Sequence, residues 1–127
     1  MTKATDKIKY FAYPRKSSEQ EDRQVVSIES QKRELADVAE RDGLTMIKIF
    51  DESHSAKYPG RPIFNDMLRR IEKGEANALL VWNASRISRN AVDTGQVIHL
   101  LDTGKLLEVR TPSQVFRNTP NDKFLLN

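Results

Sequence analysis

The chain contains no cysteine, which excludes disulfides, thiolate metal sites and cysteine nucleophiles together and fits a reducing compartment. The cytoplasm is the expected location. No window approaches ~18 consecutive apolar residues and the segment Met1 to Lys9 is polar, so neither a membrane-spanning helix nor a signal peptide is expected. Histidine is nearly as scarce. His54 and His99 are the two in the chain, too few for a histidine-rich metal site, and no H-E-x-x-H, P-loop, G-x-G-x-x-G or G-x-S-x-G pattern occurs. Internal repeats, low-complexity stretches and linkers are also missing, so 127 residues must be explained by one domain or a fragment of one.

What the chain does have is charge. Lysine and arginine number 21 against 18 acidic residues, a net of 21 − 18 = +3, mildly basic and compatible with an acidic partner such as nucleic acid. Eleven of the cations are arginine, and several fall in loops where no helical i,i+4 partner neutralises them. Apolar residues make up 38% and charged residues 31%, enough apolar material for a modest layered core at a mean hydropathy of −0.63.

Along the chain, strand and helix signals alternate. Residues 8–13 are rich in aromatic and β-branched types and read as a strand, followed by a polar loop over 14–26. Ser27 offers an N-cap, Glu29 suits the first helical turn, and Ile28, Leu35, Val38 and Ala39 continue at helical spacing to a stop at Gly43. A second strand over 45–50 and a loop over 51–60 lead to Arg61-Pro62, where proline at the first helical position opens a helix carrying Ile63, Phe64, Met67, Leu68 and Ile71 on one face. The apolar run Ala78 to Trp82 suits a central strand covered on both faces, a helix follows over about 91–103, and 106–109 reads as a fourth strand. An apolar helical pattern begins again over 121–127 and stops, which suggests a chain cut within an element.

This alternation predicts a three-layer α/β domain with a mostly parallel sheet of four to five strands flanked by helices. Ligands of such sheets bind beyond the carboxyl ends of the strands, here segments 13–26, 51–60, 83–90 and 111–118. Those segments hold the chemically pointed residues. Arg15 and Lys16 bring two cations within two residues of Ser17, a field that can assist a hydroxyl nucleophile; the plainer alternative is a loop in which Ser17 or Ser18 caps a turn. Arg61 stands at a helix N-terminus, where backbone N–H groups and the dipole favour an anion, or simply covers the helix start in solvent. Arg86 and Arg89 at i,i+3 share a face of any helical turn, with no acidic residue between Glu75 and Asp93, and two guanidinium forks suit a phosphodiester. Gln31 lies on the apolar stripe of its helix, so its amide either satisfies loop backbone or points toward the strand ends.

Taken in order, Tyr13-Pro-Arg15-Lys-Ser17, Ser27-Ile-Glu-Ser-Gln31, Asp51 followed by Ser55-Ala, Arg61-Pro62 and Trp82-x-x-Ser85-Arg86-x-x-Arg89-Asn90 resemble the catalytic domain of the serine recombinases, a group of resolvases, invertases and larger integrases. The resemblance covers about residues 8 to 113. It implies a resolvase-like catalytic core that breaks and rejoins DNA at specific sites through a covalent phosphoserine, without metal or cofactor. It implies Ser17 as nucleophile, Arg15, Arg86 and Arg89 as the clamp on the scissile phosphate, Arg61 as a further phosphate or leaving-group contact, and Tyr13, Gln31 and Ser55 as supporting residues. DNA is the implied partner, with homodimers and tetramers of the full-length protein and no membrane. Residues 1–127 are then one catalytic domain truncated before the dimerisation helix and DNA-binding region. Such a fragment is expected to be inactive alone, and its own oligomeric state, a monomer included, stays open. Two departures stand out: Ser85 occupies a position where the family usually has Asp, and Ala56 one where Gly is usual. Asp51 or Glu52 is the acid expected to offset Ser85 if one does, and the alternative is a weakened member that binds DNA or a partner without cutting.

Overall fold

The computed structural model describes residues 7–16, 27–54, 56–83 and 87–126. Five strands, β1 (Lys9–Ala12), β2 (Thr45–Ile49), β3 (Ala78–Leu80), β4 (Glu108–Arg110) and β5 (Val115–Phe116), alternate with helices α1 (Ile28–Asp42), α2 (Pro62–Glu72) and α3 (Ala91–Asp102), and α4 (Pro120–Leu126) follows. The sheet order is β2-β1-β3-β4-β5. The first four strands are parallel, and β5 returns antiparallel to β4. The three-layer, mostly parallel architecture expected from the alternation is the observed one.

The period-two alternation of strand side chains sorts the core into two layers. Phe11, Leu79 and Val109 point to one face and pack with Phe64, Met67, Leu68 and Ile71 of α2 and with Val97, Leu100 and Leu101 of α3. Tyr10, Ala12, Ala78 and Leu80 point to the other, under Leu35, Val38 and Ala39 of α1. Chain order explains the division. The crossover through α1 runs from β1 outward to β2, whereas those through α2 and α3 run the opposite way across the sheet, and right-handed crossovers in opposite directions leave their helices on opposite faces. Strand order therefore reverses between β1 and β3, and in open sheets of this kind ligands bind beyond the carboxyl ends of the strands at such a reversal.

The helix punctuation matches the sequence. The Ser27 side chain accepts from the Ser30 amide, Gly43 adopts the left-handed φ of 66°, and Pro62 is the first residue of α2. Two differences concern the last strands. Leu106 donates its amide to the Leu100 carbonyl and packs in the α3 layer, so pairing begins later, at Glu108. The two-residue β5 is too short to show any period; the turn leading to it is fixed by Thr111, whose hydroxyl oxygen accepts from the Ser113 and Gln114 amides.

Candidate active site

Beyond β1 the chain stays extended over Tyr13 to Lys16 and is held on two sides. Toward β2, the Phe50 amide donates to the Ala12 carbonyl, the Glu52 amide to the Pro14 carbonyl and the Lys16 amide to the Glu52 carbonyl. From α1, Gln31 reaches over: its Oε1 accepts from the Arg15 amide at 3.1 Å and its Nε2 donates to the Arg15 carbonyl at 3.0 Å. Gln31 is fully buried, and of the two readings of its amide, the loop-backbone one describes the contacts. It fixes the backbone two residues before Ser17.

The Arg15 side chain is also fully buried, and its Nη1 donates to the His54 carbonyl at 2.6 Å. Two residues further along the same loop, the Ala56 carbonyl accepts from the Arg89 amide at 2.9 Å and from Asn90 Nδ2 at 3.1 Å. The Arg15 guanidinium thus holds the carbonyl of His54, and the turn that carries Arg89 holds the carbonyl of Ala56. Arg89 itself is exposed. Ser17, Ser55 and Arg86 lie outside the described residues.

Below this junction runs a buried polar network. Tyr13 Oη donates to Glu52 Oε1 at 2.6 Å and accepts from Arg61 Nη1 at 3.1 Å. Glu52 is only 2% exposed, and its carboxylate also accepts the amides of Ile63 and Phe64 in the first turn of α2. A carboxylate there meets both unpaired donors and the positive end of the helix dipole. Burial pushes the Tyr13 phenol far above its ordinary value; the Arg61 charge opposes the shift and Glu52 adds to it. The phenol is therefore neutral at any physiological pH and remains a donor.

Arg61 sits at the start of α2 as expected, but inside the protein rather than in solvent, at 2% exposure. Its Nη2 donates to the Ile87 carbonyl at 2.6 Å and to Asp93 Oδ2 at 3.0 Å, and the guanidinium lies over the Phe64 ring at 3.9 Å. Asp93 Oδ2 also accepts from Asn90 Nδ2, while Asn90 Oδ1 caps α3 by accepting the Asp93 amide. Asp93 and the cap formed by Glu52 are the site features that the sequence reading missed. Asp93 looks like an ordinary acid in a first helical turn, and its ion-pair partner is 32 positions away. Ser85 lies outside the described residues; of the two acids named as possible offsets for it, Glu52 is bonded as described and Asp51 is paired with Lys32 at 2.9 Å, a contact that holds the Asp51 carboxyl below its ordinary value. Among the described residues no group of three or more His, Cys, Asp or Glu side chains is placed to hold a metal ion.

An α/β domain whose mostly parallel sheet reverses its strand order between β1 and β3, with Arg15 and Arg61 buried beyond the strand ends, is the class these observations define. The family model for the resolvase N-terminal domain matches residues 10–127, and the chain belongs to that family, the catalytic domains of serine recombinases. Solved structures share the fold. The N-terminal catalytic domain of TP901-1 integrase is 19% identical with a TM-score of 0.70, over 93% of this chain and 88% of that one. A resolvase family site-specific recombinase from Streptococcus pneumoniae is 21% identical with a TM-score of 0.73, over 94% and 83%. The C-terminal catalytic domain of ISC1926 TnpA, an IS607-like serine recombinase, is 14% identical with a TM-score of 0.67, over 93% and 75%.

Proposed function

We propose that this domain is the catalytic core of a site-specific recombinase that cuts and rejoins DNA through a phosphoserine link at Ser17. The observation that carries the reading is that Arg15 and the turn carrying Arg89 bond carbonyls two residues apart in the chain, those of His54 and Ala56. Family membership supplies the reaction class. In this reading the Ser17 hydroxyl attacks the phosphorus of a backbone phosphodiester, a P–O bond to one deoxyribose breaks, and the freed sugar hydroxyl takes up a proton. The reverse attack by a sugar hydroxyl restores both DNA and serine. The ester conserves the energy of the broken bond, so no nucleotide cofactor is required.

Phosphoryl transfer is mainly a matter of positioning and charge stabilisation. Arginines carry permanent charge in a planar fork matched to phosphate oxygens and can stabilise the pentacoordinate transition state without a metal; Arg86 and Arg89 fill that role directly, and Arg15, buried on the His54 carbonyl, joins them once bound DNA displaces that contact. Tyr13, Gln31 and Ser55 support the site, with Gln31 setting the backbone that leads to Ser17.

The test is a DNA substrate nicked near the crossover so that cleavage becomes irreversible, incubated with full-length protein. The wild type is expected to accumulate a covalent protein–DNA adduct. Ser17→Ala should form none while still binding DNA, and Arg89→Ala should form it about 10²–10³-fold more slowly. Ser85 in place of the usual Asp motivates a second reading, a family member that binds DNA or a partner without cutting. DNA binding by the wild type with no adduct would favour that reading, and adducts undiminished in Ser17→Ala would refute the assignment of the nucleophile.

A further inference from the structure

Arg61 occupies a position where a phosphate contact is the obvious expectation, yet its bonds run inward. Nη1 serves Tyr13 and Nη2 serves Ile87 and Asp93. Nε is buried with no hydrogen-bond partner among the described residues. The side chains of Arg61 and Asp93 are each 1% exposed. Drawing Arg61 out toward DNA would leave Asp93 as a buried charge without its counter-ion and strip the Ile87 carbonyl of that donor, a costly exchange. The bonds instead form a continuous line: Glu52 to Tyr13, Tyr13 to Arg61, Arg61 to Asp93, Asp93 to Asn90, and Asn90 to the Ala56 carbonyl. That line joins the ends of β1 and β2 to the turn 87–90, and its last member shares the Ala56 carbonyl with the Arg89 amide.

We infer that Arg61 and Asp93 are positioning residues: the ion pair is an internal strut that fixes the 87–90 turn, and so Arg89, while making no contact with the scissile phosphate. The inference rests on the recombinase reading for its consequence but not for its geometry. The strut predicts a reversal that a phosphate ligand cannot give. In full-length protein, Arg61→Met strands the Asp93 carboxylate and displaces the turn. Adduct formation at saturating DNA should slow by about 10²-fold, the scale of an ångström-sized misplacement. Removing the stranded charge as well, in Arg61→Met/Asp93→Asn, should recover about tenfold of that loss if the carboxylate is what drives the displacement. The salt dependence of DNA affinity should match wild type in all variants, whereas loss of a phosphate contact lowers its slope by about 1.

A second measurement needs no activity. In Asp93→Asn without DNA, hydrogen exchange at the Arg89 amide should accelerate by about tenfold or more, with the buried amides of α1 unchanged, because the defect is local. A double variant no faster than Arg61→Met, or a salt slope reduced by Arg61→Met, would overturn the inference. So would Arg89 exchange that is unaltered or that rises in step with α1. If wild type forms no adduct at all, the recombinase reading fails, and the exchange result still decides whether the strut exists.

Discussion

Single residues here do work that their types alone do not announce. Tyr10, within β1, and Tyr13, just beyond its end, are three positions apart and buried on opposite faces of the sheet, and each is bonded to a carboxylate: Tyr10 to Glu108 and Tyr13 to Glu52. Burial, helped by the Glu108 bond, pushes the Tyr10 phenol up to about 12, and the Tyr13 phenol moves in the same direction. A phenol whose folded value is raised stabilises the fold fully below its unfolded value, near 10. That contribution is lost as pH rises toward the folded value, because the unfolded chain gives up its proton first. The midpoint of urea unfolding should therefore fall between about pH 10 and pH 12, and Tyr10→Phe should flatten part of that fall. A midpoint constant over this range would contradict the burial of both phenols. Legibility at this scale was uneven. Gln31 stood out because an amide on an apolar stripe must find partners, and it did, on Arg15. The burial of Arg61 could not be read, since an arginine before a helix looks the same whether water or Asp93 receives it.

At the scale of elements, local signals were readable and distant ones were not. Ser27, Gly43 and Pro62 mark their helix ends through interactions with residues a few positions away. Ser27→Ala should accordingly cost about 1 kcal/mol in an unfolding titration, the usual loss for a serine cap. α2 is different. Its N-cap residue makes no capping side-chain bond, and the Ile63 and Phe64 amides are met by Glu52 from the preceding strand end. Glu52→Ala removes the acceptor for two amides and a buried phenol together, and should destabilise the protein by about 3 kcal/mol or more. A loss below about 1 kcal/mol would mean that water or another group replaces the carboxylate. The late start of β4 and the presence of β5 belong to the same class: each is decided by pairing across the sheet, which no local period records.

The whole molecule follows from a crossover rule applied to a readable alternation. Strand–helix order predicts the three layers, and strand order reverses between β1 and β3, the place where ligands of such sheets bind. The part of the candidate site that could not be foreseen is its internal bracing: two arginines expected near phosphate, 15 and 61, are buried and tied to this chain's own carbonyls and acids. Among the described residues no helix is long and apolar enough to cross a membrane. A DNA partner should show itself in the full-length protein as log affinity falling steeply with log salt, and a flat response would count against it. The most direct measurement is mass spectrometry of the protein–DNA adduct trapped on the nicked substrate and digested to peptide and nucleotide. The phosphodiester remnant should sit on Ser17 and on no other residue; a remnant on Ser18 or on any other side chain would contradict the proposed chemistry.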